Sequence, residues 1–138
     1  MSNSPLYLLD SNVCIVYLKG RSEVLQRRFD AIDSHLLAVC SVVKAELFYG
    51  AKRSNNPAKA LAQQRLFLDQ FVSFPFDDSC TDIYGSIRAD LTRKGTPIGT
   101  NDLLIAAIAL TNQLTLVTHN IREFSRVPEL QIEDWEVA

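Results

Sequence analysis

Hydrophobic side chains fall along this chain in two patterns, short unbroken runs and helix-spaced stripes. The runs Leu6-Tyr7-Leu8-Leu9, Leu36-Leu37-Ala38-Val39-Cys40 and Leu114-Thr115-Leu116-Val117-Thr118 have almost no polar positions. That is the pattern of strands buried on both faces of a parallel sheet. Val72-Ser73-Phe74-Pro75-Phe76 predicts another strand, with a proline that suits an edge position or an early end. Leu130-Gln131-Ile132 predicts a fifth. Helical spacing fills the intervals. A brief helix through Val13, Val16 and Tyr17 stops at Gly20, and Ser22 caps a second with Leu25, Phe29 and Ile32 on one stripe. Ser41 is placed to cap a helix carrying Val42, Val43, Leu47 and Phe48, which forms a hairpin with a helix over about 58–71. A further helix runs over about 79–94, and a short helical turn over 121–124.

One element differs from the rest. Leu103-Leu104-Ile105-Ala106-Ala107-Ile108-Ala109-Leu110 is apolar at every position, so the helix it predicts is covered all round. Gly99 and Thr100 mark its start, the glycine for a tight turn and the threonine as N-cap. Asp102 falls in its first turn, where the helix dipole favours a carboxylate by roughly 0.3–1 kcal/mol.

Strands alternating with helices predict an α/β fold, a three-layer α/β/α arrangement around a mostly parallel five-stranded sheet. The length, 138 residues, suits a single domain over 1–138 that buries about two-thirds of its unfolded surface. Hydrophobic content of 47% and charged content of 22% are those of an ordinary globule. No apolar run is long enough to span a bilayer, and the first residues carry no basic leader region. Cys14, Cys40 and Cys80 are odd in number and lack C-x-x-C spacing, so free thiols in a reducing cytoplasm fit better than disulfides or zinc. A net charge of −2 excludes binding to nucleic acid through bulk positive charge. Lys44, Lys52, Arg53, Arg88, Arg93 and Lys94 are the candidates for local contact with a polyanion.

Ligands of a doubly wound sheet sit outside the carboxyl ends of its strands. Asp10 leaves the first strand at that edge, and Asn120 leaves the fourth. A crossover helix begins where its strand ends, so Asp102 lies on the same rim, with Glu46 about a turn down its own helix. Each residue has a plainer alternative as a turn former, helix-start residue or solvent-facing acid. Together, however, three acids without basic partners repel one another unless a cation occupies the gap. Oxygen-only donors select hard ions, magnesium or manganese, whose chemistry with bound water is phosphodiester hydrolysis.

Four segments carry a specific resemblance: Tyr7-Leu-Leu-Asp-Ser-Asn-Val-Cys-Ile, Ser41-Val-Val-Lys-Ala-Glu-Leu-Phe-Tyr-Gly-Ala, Ile98-Gly-Thr-Asn-Asp-Leu-Leu-Ile-Ala-Ala and Leu116-Val-Thr-His-Asn-Ile-Arg-Glu-Phe. In order and spacing they resemble PIN-domain ribonucleases, specifically the VapC-type toxins of toxin–antitoxin pairs. The ending, Phe124 through Trp135, looks like the family's closing strand. The resemblance implies a PIN-like fold and catalysis of RNA cleavage by Asp10, Glu46 and Asp102, with Mg2+ as cofactor and Mn2+ as a substitute. It places the same three acids on the metal, with Asn120 as a weak fourth ligand and Ser11, Asn12 and Thr118 in supporting positions. It also implies a structured RNA target such as a tRNA, a small cognate antitoxin of VapB type, a homodimer and no membrane partner. Two rivals stand beside it: a phosphatase of haloacid-dehalogenase type, which needs an acid where Asn12 stands, and a non-catalytic partner-binding domain. DNA in place of RNA is a closer variant.

Overall fold

The computed structural model describes residues 4–137. Five parallel strands form one sheet: β1 (Tyr7–Leu9), β2 (Leu37–Cys40), β3 (Val72–Phe74), β4 (Thr115–Val117) and β5 (Ile132–Glu133), in the spatial order β3-β2-β1-β4-β5. Tyr7 stands opposite Leu37 on one side and Thr115 on the other. The chain therefore winds outward from β1 through β2 to β3, then returns to add β4 and β5 on the opposite side. The reversal lies between β1 and β4, where an open α/β sheet parts at its carboxyl edge and leaves a crevice.

Among the described residues seven α-helices cover the sheet: α1 (Ser11–Leu18), α2 (Glu23–Asp30), α3 (Ser41–Lys52), α4 (Pro57–Leu68), α5 (Asp78–Arg93), α6 (Thr100–Thr111) and α7 (Ile121–Phe124). The apolar runs are where burial is deepest. Every residue of β2 is buried, and in α6 Leu103 and Ile105 through Ala109 are closed off from solvent. Leu104 and Leu110 are the half-buried positions of that apolar run. Tyr17, Phe29, Phe67 and Phe71 pack into one aromatic cluster that joins α1 and α2 to the end of α4.

Several boundaries differ from expectation, each for a local reason. Ser22 does cap α2, accepting from Leu25 N. Ser41 and Thr100, by contrast, are the first helical residues of α3 and α6, whose N-caps are Cys40 and Gly99 with no side-chain cap bond. Gly99 has φ −58°, a conformation open to any residue, so the turn makes no use of glycine's freedom. Gly95, at φ +70° past the end of α5, does use it. β3 stops before Pro75 and lies at the sheet edge. β5 begins two residues later than the Leu130-Gln131-Ile132 run, because the register is taken by Ile132 and Glu133, beside the buried Trp135 packed edge-on to Tyr7.

Candidate active site

Asp10 closes β1 and simultaneously caps α1, its Oδ1 accepting from Val13 N at 2.9 Å. Its other oxygen accepts from Thr118 Oγ1, from the end of β4, at 2.5 Å. Thr118 is fully buried and also receives the backbone N–H of Asn120 at 3.0 Å. One threonine thus ties the exits of the adjacent strands β1 and β4 together. Burial pushes the Asp10 carboxyl above its ordinary value against these two hydrogen bonds, with the negative charges of Glu136 and Glu46 adding to the push.

Asp10, Glu46 and Asp102 face one cleft of about 760 Å3 at this edge, together with Ser11, Asn12 and Asn120. Glu46, one turn and a half into α3, is half-buried and held by Ser11 Oγ, which donates to its Oε1 at 2.6 Å. Asn12 is exposed on the cleft wall. The geometry thus brings together all seven residues expected there, Thr118 from beneath. The basic residues stay outside. Arg88 donates to Tyr84, Lys94 pairs with Asp90, and no Lys or Arg lines the cleft.

The acids are therefore uncompensated. Asp102 shows it most clearly: its carboxyl is pushed up to about 7, first by burial, then by a hydrogen bond to Glu123 and by the charges of Glu123, Glu46 and Asp10. Glu123 is the residue the sequence reading missed. Asn120 and Glu123 stand three apart at the start of α7, the spacing of a capping box, and that was the available signal. In a capping box the acid turns back to the cap's N–H, but here Thr118 has taken that N–H. Glu123 is free to face Asp102, steadied by Asn120 Nδ2 at 3.3 Å. Asn120 therefore acts on an acid besides lining the cleft itself. Removing the Glu123 charge with Glu123→Gln is expected to lower the Asp102 midpoint toward its ordinary range without restoring it fully, since burial remains. A carboxyl NMR titration of the metal-free protein reads this directly. An unmoved midpoint would show that the two carboxyls do not interact.

Oxygen donors from desolvated carboxylates, with no Lys or Arg beside them, suit a hard divalent ion. On the cleft, Asp10, Glu46 and Asp102, with Asn120, could hold one, and Glu123 stands beside Asp102 to assist. They are not drawn into the tightest cluster, however. His119, Asp134 and Glu136 offer ligand atoms that all lie within 4.8 Å of one another, and His119 borders the same cleft. Their own charges account for that grouping. His119 Nδ1 lies 2.9 Å from Asp134 Oδ2 and 4.0 Å from Glu136, and these two acids raise its pKa.

Comparison with known proteins adds independent observations. The sequence model of the PIN domain matches residues 7–130. The chain is 38% identical over 129 residues to the tRNA(fMet)-specific endonuclease VapC of Salmonella typhimurium, covering 94% of this chain and 97% of that one. It is 36% identical to Ribonuclease VapC2 of Rickettsia felis, covering 95% and 98%. Among solved structures, DNA-bound VapBC from Salmonella typhimurium superposes with a TM-score of 0.89 at 37% identity, covering 95% of this chain and 98% of that one. VapBC2 from Rickettsia felis bound to promoter DNA gives 0.87 at 35% identity, covering 94% and 98%.

Proposed function

The chain belongs to the PIN-domain family and is a ribonuclease of VapC type, and on that premise we propose that it is a divalent-metal-dependent endoribonuclease, the toxin of a toxin–antitoxin pair. The observation that carries the metal dependence is the uncompensated acid cleft, with Asp102 pushed up to about 7. Asp10, Glu46 and Asp102, helped by Asn120 and Glu123, would hold Mg2+, for which Mn2+ substitutes. Such an ion binds phosphate oxygens and makes water a nucleophile near neutral pH.

The chain's own residues prepare that chemistry. Thr118 and the N-terminus of α1 fix both oxygens of Asp10, so its direction is set before substrate arrives. Ser11 holds one oxygen of Glu46 in a similar way. The Asp102 carboxyl, pushed up to about 7 beside Glu123, is the group whose proton would compete with a bound cation near neutrality. The haloacid-dehalogenase reading lacks its second acid, because Asn12 occupies that position.

The relative from Salmonella typhimurium is named for cleavage of tRNA(fMet), and a structured RNA of that kind is the substrate proposed here. The partner is a small antitoxin of VapB type, and the toxin itself is a homodimer of single-domain chains in the cytoplasm. An apolar groove suits the antitoxin. Ile15, Leu18, Ala60 and Leu66 line it between α1 and α4, with Leu66 78% exposed and Ile15 shared with the acid cleft. A segment lying there would reach the acids. Among the described residues no helix is long and apolar enough to cross a membrane.

The test is cleavage of purified tRNA by the isolated protein. Activity is expected to vanish in chelator, return with Mg2+ or Mn2+, and fall when the antitoxin is added. Full activity in a thoroughly chelated sample would overturn the metal dependence.

A further inference from the structure

The cleft must bind a polyanion with a wall of acids and no Lys or Arg lining it, on a chain of net charge −2, and its one imidazole, His119, is engaged by Asp134. Long-range attraction cannot supply the affinity. Contacts indifferent to charge must contribute, and stacking of unpaired bases on aromatic rings is the strongest available to a protein.

Of the two rings on the cleft, the His119 imidazole is held by Asp134, which leaves Tyr49 as the one phenol or phenyl ring at the right place. Tyr49 lies three residues beyond Glu46 on α3, on the same helix face, and is the aromatic residue lining the acid cleft. It is 62% exposed, whereas every other Tyr, Phe and Trp ring is buried or partly buried. Arg53 extends from the end of the helix across it, with the guanidinium carbon 5.2 Å from the ring centroid and Nη1 donating to the phenol oxygen at 3.3 Å. An exposed ring braced by one arginine gains little folding stability, because it buries little area. As a prearranged platform it has a clear use. The ring offers a face to a base, and the guanidinium brings positive charge to the cleft mouth, one turn from the acids. Asn12 and Asn101, exposed amides on the same cleft, supply the donors and acceptors that read a base edge.

We propose that Tyr49, braced by Arg53, is the platform on which an unpaired nucleobase of the RNA substrate stacks beside the scissile phosphate. The inference rests on the ribonuclease reading and specifies how the substrate's single-stranded part is held. It makes Tyr49 a substrate-positioning residue: the ring sets which nucleotide enters the cleft, while the acids act on the phosphate.

The experiment uses a short RNA stem-loop carrying 2-aminopurine at successive loop positions. Binding and fluorescence are measured on an Asp102→Asn background, so that the RNA stays intact. Quenching is expected at one loop position, lost in Tyr49→Leu and regained in Tyr49→Phe. Affinity should fall about tenfold to a hundredfold in the leucine variant. In the active protein the same substitution should raise KM by a similar factor, leave kcat within about threefold, and leave the melting temperature unchanged, because the side chain is exposed. Quenching and KM that are unchanged in Tyr49→Leu would overturn the proposal while leaving the ribonuclease standing. So would a loss confined to antitoxin affinity, which would make the ring an antitoxin contact. If the wild-type protein cuts no RNA yet quenches through Tyr49, the ribonuclease reading has failed and the platform stands.

Discussion

Asp102→Asn is expected to slow RNA cleavage by about a hundredfold or more while making the metal-free protein more stable. Asparagine keeps the shape and removes one negative charge from the proposed cation site. Metal stabilisation of a phosphoryl transition state contributes several kcal/mol, and each 1.4 kcal/mol lost is about tenfold in rate. Stability moves the other way. The Asp102 carboxyl is pushed up to about 7 by burial and by its acidic neighbours. A raised carboxyl stabilises the fold fully below the unfolded value near 3.8, and that contribution is lost as pH rises through about 7. The variant carries no such liability. Its advantage should be absent near pH 4 and complete above pH 7, as the linkage requires. Asp102 is only half buried, so solvent screening reduces the gain to on the order of 1 kcal/mol, about 3 °C in melting temperature for a chain of this size. Asp10→Asn should behave alike in activity, since the asparagine oxygen can still accept from Val13 N. Melting curves at pH 4 and pH 8 in chelator, with cleavage rates in Mg2+, read both effects. A variant that melts lower at pH 8 would make Asp102 a structural residue, and near wild-type cleavage would remove it from the active site.

Ile108→Ala should show the opposite pairing, a large loss of stability with cleavage per folded molecule unchanged. Ile108 is completely buried in α6, among neighbours on every side. Truncating a buried isoleucine removes its transfer free energy and leaves a cavity, at a cost of about 2–5 kcal/mol. That is a large part of the 5–15 kcal/mol by which domains are typically stable, and corresponds to a fall of about 6–15 °C. Ile108 lies near the far end of α6 from Asp102, so the first turn and its carboxylate keep their position. Urea midpoints and activity normalised to folded protein separate the two effects. A cost below about 1 kcal/mol would mean that α6 does not fill the core. The two substitutions on one helix thus distinguish its roles: the first turn serves the cleft, the rest serves the core.

Local sequence determined the parts of this protein that depend on burial and on chain direction. Apolar runs record which segments lose contact with water, so β1, β2, β4 and α6 are legible without any structure. Parallel strands joined by crossover helices must present strand ends and helix starts at one edge, and this brings Asp10, Glu46 and Asp102 to a common cleft from positions 36 to 92 residues apart. What only the tertiary structure decided are the choices among nearby polar groups of similar chemistry. Ser41 and Thr100 look like caps, yet the chain enters each helix one residue earlier. Glu123 looks like a capping-box acid, but the hydroxyl of Thr118 reaches the Asn120 N–H first and leaves that carboxylate to Asp102. His119 meets Asp134 and Glu136 only because β5 runs beside β4, and Tyr49 stays exposed only because the cleft opens where it stands. Patterning of apolar positions is a sum over many residues and survives local error. A hydrogen bond is settled by a few tenths of an ångström between competing partners, and that distance exists only once the chain has folded.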